Sequence, residues 1–339
     1  MATKEKLLRA ALDRVNDYEQ TVNAILAFAA FVIHDGKSQR PNSQFGFGRR
    51  MKTSPKNLKT PSSEVTPDLV AQKSKHYGIV AEAKKSLDQN QSNWLQHVEQ
   101  LRKYDDDLEG WWTDGEKIDN SDAVMLIHQS RGRLFRDFIE NCKSKDPNSI
   151  GPNTSVIEFN ESPETEPYYF FRIEFGSIQD REFMEDLYEG KQVPLEKVKI
   201  SFSNIQYYDA KPPLPLLLIR LWTDYFPSKL DEGKYDEQKK AMKIRVNVFD
   251  VTDELQKAFG SQALHQDERS GEFPKQKWIR EAFDQLVSYN LATYGSENDE
   301  YTIFFKSFRG DVLERFIQYE IRNAKDKKAK PSPKQLKFF

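Results

Sequence analysis

Thr66-Pro67-Asp68-Leu69-Val70-Ala71 and, one polar turn later, Tyr77-Gly78-Ile79-Val80-Ala81-Glu82-Ala83-Lys84-Lys85 are two short apolar runs with charged residues at their margins. Successive side chains of a strand alternate faces, so Glu82 and Lys84 point one way while Ile79, Ala81 and Ala83 point the other. If the two runs pair as neighbouring strands, Asp68 and Glu82 converge on one edge with an ammonium beside them. Two carboxylates suit a hard divalent cation, which prefers oxygen ligands. A lysine beside them can orient or activate a water for attack on a phosphodiester.

The surrounding chain predicts the rest of an α/β unit. Residues 3 to about 34 read as one long helix whose apolar stripe runs Leu8, Leu12, Val15, Glu19, Val22, Leu26. Glu19 alone breaks it. A carboxylate inside a core stripe needs a cation, a hydrogen-bonding partner or water, unless it marks a stripe edge open to solvent. A helix from about Asn90 to Leu108 carries Gln100 and Tyr104, four residues apart and so on one face. A buried strand at Asp122–His128 and a helix at Arg131–Asn141 follow, an order that a mixed sheet with crossover helices requires.

These residues together resemble the PD-(D/E)xK nuclease superfamily, in particular the RecB-like branch with its Gln-x-x-x-Tyr motif. The resemblance covers residues 1–150 and implies a restriction-endonuclease-like mixed-sheet core flanked by helices. It implies Glu19, Asp68 and Glu82 as acidic metal ligands, with the Ala83 carbonyl as a further one, and Mg²⁺ or Mn²⁺ as the cation. It also implies Lys84 as the catalytic lysine, with Gln100 and Tyr104 positioning the substrate or the lysine. Its substrate would be DNA, with RNA as the alternative, and its setting microbial defence against foreign DNA. A non-catalytic nucleic-acid-binding or assembly scaffold on the same fold is the competing reading.

Charge is distributed unevenly along the 339 residues, although the net charge is only −2. Between Gly36 and Thr60 stand Lys37, Arg40, Arg49, Arg50, Lys52, Lys56 and Lys59 with no acidic residue. That composition fits a segment gripping a nucleic-acid backbone through Arg49, Arg50, Lys52, Lys56 and Lys59, with Lys85 adding a phosphate contact. An ordinary flexible loop has the same composition. Residues 151–212 read as an acidic, strand-rich connector, better suited to a protein partner than to DNA.

Residues 213–322 follow a helix, strand, helix, helix, hairpin pattern that resembles a winged-helix domain, and 323–339 read as a disordered basic tail. The expected wing tip, Gly295 to Glu300, is acidic, which favours self-association or docking of a protein partner such as an ATPase. The fold class is therefore α/β in the first part and α+β overall. Cys142, the one cysteine, excludes an intrachain disulfide and a cysteine-rich zinc site. The histidines lack the His-Glu-x-x-His spacing, and neither a Walker loop nor a Gly-x-Ser-x-Gly elbow occurs. No run of 18 apolar residues occurs, and the apolar stretch Leu214 to Leu221 is far too short for a bilayer, which together with the missing signal-peptide core predicts a cytoplasmic protein without membrane partners.

Overall fold

The computed structural model describes residues 4–35, 38–39, 43–49, 51–54, 63–84, 91–104, 107–113, 118–162, 168–194, 211–260 and 274–329. They form a mixed α/β structure with two compact units. One comprises Glu19–Asp209 and Ala258–Glu272; the other comprises Met1–Tyr18, Ala210–Lys257 and Phe273–Phe339. No described helix is long and apolar enough to cross a membrane.

Helix α1 (Lys4–Ile33) leads into β1 (His34–Asp35) and β2 (Ser38–Gln39), then β3 (Gln44–Phe47), β4 (Met51–Ser54), β5 (Ser63–Val65), β6 (Leu69–Ser74) and β7 (Tyr77–Lys84). Next come α2 (Gln91–Tyr104), β8 (Asp107–Glu109), β9 (Asn120–His128) and α3 (Gln129–Lys145). Strands β10 (Thr154–Ser162) and β11 (Tyr168–Phe175), helix α4 (Arg181–Glu189) and strand β12 (Lys191–Pro194) complete this series. The main sheet has seven strands in the order β12-β11-β10-β9-β7-β6-β3. Strands β7, β9 and β10 run parallel, and the remaining neighbours are antiparallel. Parallel strands need long crossovers, here supplied by α2 and α3.

Because helices cover both faces, the central strands are apolar throughout rather than alternating. Ala123 to Ile127 of β9 are fully buried. On one face Val80, Met125, Ile127 and Val156 pack with Val98 and Leu101 of α2 and with Phe135 and Ile139 of α3. On the other, Phe28 and Phe31 of α1 meet Phe171 of β11 and Phe183 of α4. The Phe31 and Phe183 rings stack with centroids 4.0 Å apart.

The expected boundary at residue 150 is corrected by this topology. Strand β10 pairs in parallel with β9, from Thr154 against Ala123 to Phe159 against His128, so residues 154–194 extend the same sheet. Residues 195–210 of the expected connector lie outside the described residues.

The other unit holds a four-stranded sheet in the order β13-β14-β16-β15, from β13 (Lys234–Asp236), β14 (Ala241–Asn247), β15 (Ala292–Gly295) and β16 (Glu300–Phe305). Helix α5 (Leu214–Arg220) continues through a π turn at Leu221–Tyr225 and a 3-10 turn at Phe226–Glu232. Helices α6 (Val248–Gly260) and α7 (Gln276–Ser288) lie between β14 and β15 in the chain, and α8 (Val312–Ala329) follows β16. Trp222 stacks on Phe308 at 4.9 Å and donates its indole N–H to the Lys306 carbonyl. Ala11 of α1 packs with Ile317 and Ile321 of α8, joined by Leu8, Leu12 and Leu313.

The start of α6 is held by Asn247, whose Oδ1 accepts from the Asp250 amide at 2.9 Å, while the hydroxyl of Thr252 donates within the helix to the Val248 carbonyl. The basic stretch expected to be disordered from 323 is helical as far as Ala329, and 330–339 lie outside the described residues.

Gly78 shows how closely the segment after α2 is laid on the sheet. A Cβ there would stand 2.3 Å from the buried Trp111 ring, so only glycine leaves room for the indole. Trp111 is tied down by its N–H to the Leu108 carbonyl, and the Trp112 amide donates to Oε1 of buried Gln72. Gly78→Ala should therefore lower stability by about 1–3 kcal/mol through overpacking. Urea unfolding checks this, as a reduced midpoint at unchanged slope.

Candidate active site at the end of strand β7

Strands β6 and β7 are joined by a tight turn in antiparallel register, Leu69 opposite Ala81 and Val70 opposite Val80. Asp68 immediately precedes β6, which places it beside Ala83. Its Oδ2 accepts the Ala83 amide at 2.8 Å. The carboxylate thus takes the backbone donor that β6, starting at Leu69, does not reach.

Glu82 is only 5% exposed, on the sheet face shared with Val80 and α2. A carboxylate so buried must be hydrogen-bonded or paired. Its Oε1 accepts from Lys84 Nζ at 2.6 Å, and its Oε2 from the Tyr104 hydroxyl at 3.0 Å. That hydroxyl accepts in turn from Gln100 Nε2 at 2.6 Å. Glu82 and Lys84 meet because they are two apart on a strand, Gln100 and Tyr104 because they are four apart on a helix.

Burial pushes the Tyr104 phenol far above its ordinary value of 10.0; Glu82 and Asp68 add to the shift and the Gln100 hydrogen bond opposes it. Tyr104 is thereby a permanent hydrogen-bond donor. Asp68 and Glu82 both bear on it, so the two acids share one locality.

Five expected residues, Asp68, Glu82, Lys84, Gln100 and Tyr104, are joined in this network together with the Ala83 backbone. Glu19 is not. Among the described residues no three His, Cys, Asp or Glu side chains gather as a metal-holding group, so Glu19, Asp68 and Glu82 do not form the expected triad. Glu19 acts instead on Tyr169 of β11, whose phenol is pushed up by burial first, then by Glu161 and, more weakly, Glu19. Tyr169 shares its strand face with Phe171, on the α1 side, opposite the face of Glu82.

The expected basic contacts are redistributed. The Arg49 guanidinium lies 4.1 Å from the Trp112 ring centroid and donates through Nε to the Gly110 carbonyl at 2.7 Å. Burial lowers its pKa to about 10. Arg49 is thus a packing residue. Lys52 on β4 is exposed, but its cross-strand neighbours are Glu64 and Glu109, which offset its charge. Arg50, Lys56, Lys59 and Lys85 lie outside the described residues.

One neighbour escaped the motif reading. His97, half-buried on α2, has its pKa lowered by burial and then by the Lys84 ammonium, with Glu82 pulling it back. The signal was present, since 97, 100 and 104 share a helical face.

The site is chemically a pair of clustered carboxylates with a cation and a neutral phenol holding one of them. Its oxygen-only acidic set suits a hard cation. The Tyr104 hydroxyl contributes stability below pH 10.0, where the unfolded phenol also keeps its proton. That contribution falls as pH rises through this value, because the unfolded chain ionises first. Tyr104→Phe should cost about 1–3 kcal/mol near neutrality and flatten the alkaline decline. Urea titrations at neutral and alkaline pH measure both effects.

No protein-family model matches this sequence, and no curated protein or solved structure matches it.

Proposed function

We propose that the chain is a Mg²⁺- or Mn²⁺-dependent nuclease of the PD-(D/E)xK type, RecB-like branch, acting on DNA. The observation that carries this reading is Glu82 held between Lys84 and Tyr104, with Asp68 clasped to the next residue of the same strand. The sequential order of α1, β6, β7, α2 and β9 around a mixed sheet supports a restriction-endonuclease-like core.

Asp68, Glu82 and the Ala83 carbonyl would hold the cation, a donor set of oxygens only. Glu19 is left out of it. A bound cation supplies charge neutralisation at the phosphate and a lowered pKa of the attacking water. The protein's own part is orientation and charge. Tyr104, itself fixed by Gln100, locks the Glu82 carboxylate in one orientation. The Lys84 ammonium offers the positive charge that a phosphodiester gains use of as negative charge develops. Purified chain with Mg²⁺ or Mn²⁺ should cleave circular or linear DNA. Asp68→Ala and Glu82→Gln should abolish that cleavage, and Lys84→Ala should reduce it about 10²–10³-fold. Full activity in a folded Asp68→Ala protein would sink the assignment.

The second unit supports a docking role on a winged-helix-like scaffold. Its order α5, β13, β14, α6, α7, β15, β16 contains the expected helix, strand, helix, helix, hairpin series with the short strand β13 added, which supports that reading. Arg280, on the helix that would read DNA, makes a two-pronged contact with Asp299 at 3.0 and 2.8 Å, and Tyr294 donates to the same carboxylate. These partners lower the Asp299 pKa to about 2. Arg280 is therefore neutralised inside its own unit rather than offered to phosphate. Arg280→Ala should leave DNA affinity of the full chain within about twofold, with an unchanged salt slope. Anisotropy titrations at several salt concentrations decide it.

A further inference from the structure

The crossover helix α2 joins the parallel strands β7 and β9, so it runs back antiparallel to β7. Moving along α2 from Tyr104 toward its N-terminus therefore moves outward, from Glu82 toward the end of β7 at Lys84. Gln100 and His97 follow Tyr104 on the same face, about 6 and 10 Å along the axis. The field at His97 agrees with this placement, because Lys84 bears on it more strongly than Glu82. Burial also declines in this direction. Tyr104 is fully buried, Glu82 is 5% exposed, His97 is half-buried, and the Lys84 side chain is 28% exposed.

A polyanion approaching this mouth meets two carboxylates and an ammonium already bonded to Glu82. The amide nitrogen of Gln100 donates inward to Tyr104. A neutral imidazole supplies one N–H donor and is penalised less than a cation for partial burial. Burial and then Lys84 lower the His97 pKa against the pull of Glu82, which favours that form.

We propose that His97 contacts the substrate, donating its ring N–H to a non-bridging phosphate oxygen of the DNA strand that enters beside Lys84. This rests on the nuclease reading given above, and adds a binding contact that the Asp, Glu-x-Lys and Gln-x-x-x-Tyr motifs do not contain.

The test uses the full chain and a short fluorescein-labelled DNA oligonucleotide, single- and double-stranded. Binding is read by anisotropy in an Asp68→Asn background without divalent metal, and cleavage is read in the otherwise unaltered chain with Mg²⁺ or Mn²⁺. His97→Ala should weaken binding about tenfold and raise KM by a similar factor, with kcat changed less than about threefold. His97→Gln, which keeps a donor, should recover binding to within about threefold. Thermal melting of each variant confirms that it is folded. Unchanged binding by His97→Ala overturns the proposal, as do equal losses in the alanine and glutamine variants, which would mark His97 as packing. If the unaltered chain cleaves while the binding arm is flat, only this inference fails. If the binding arm behaves as expected and nothing is cleaved, the contact stands and the hydrolytic reading fails.

Discussion

The buried carboxylate of Glu82 is the constraint around which the larger unit is arranged. At 5% exposure it has lost nearly all of its water, and an unpartnered charge there would cost several kcal/mol. Its two oxygens are answered from different directions, by Lys84 on the same strand and by Tyr104 on α2. That second bond sets where α2 lies over β7, since the Tyr104 ring is also fully buried in the cluster with Val80 and Leu101. The arrangement is polar where the sheet ends and apolar where it is central, as parallel sheets with ligand sites at their carboxyl edges commonly are.

Asp68 reaches the same place by a different route. Strand β6 begins two residues after the position that faces Ala83, and the side chain of Asp68 takes the Ala83 amide instead. A backbone requirement thereby fixes the direction of a charged side chain. The two acids are positioned by unrelated forces, one by desolvation and one by ladder geometry.

Local pattern made much of this legible. The two-residue period of β7 and the four-residue spacing of Gln100 and Tyr104 are properties of the chain itself, and both survive folding. Partnership between distant segments is not. Nothing in residues 154–162 says that β10 will lie beside β9, so 154–194 read as a separate connector. The stripe of α1 is ambiguous for a related reason. Leu8 and Leu12 pack with α8, whereas Phe28 and Phe31 serve the main sheet, and half-buried Glu19 falls where the helix passes from one core to the other. A single periodic stripe hid two packing environments, so an acid at the changeover resembled a ligand. Composition cannot show that the Arg49 guanidinium has an indole and a carbonyl as partners within its own fold. His97 belongs to no metal-spacing motif, so only its place on the face of Gln100 and Tyr104 marks it.

The division of α1 between two cores also has a consequence for synthesis. Leu8, Ala11 and Leu12 pack with Leu313, Ile317 and Ile321, some three hundred residues later. At about 5–20 residues per second, the ribosome takes roughly 15–60 s to deliver them. During that interval the main sheet can already close over Phe28 and Phe31, while the first turns of the same helix still carry an uncovered hydrophobic seam. These turns of α1 are made long before α8 and stay uncovered on that side until α8 arrives.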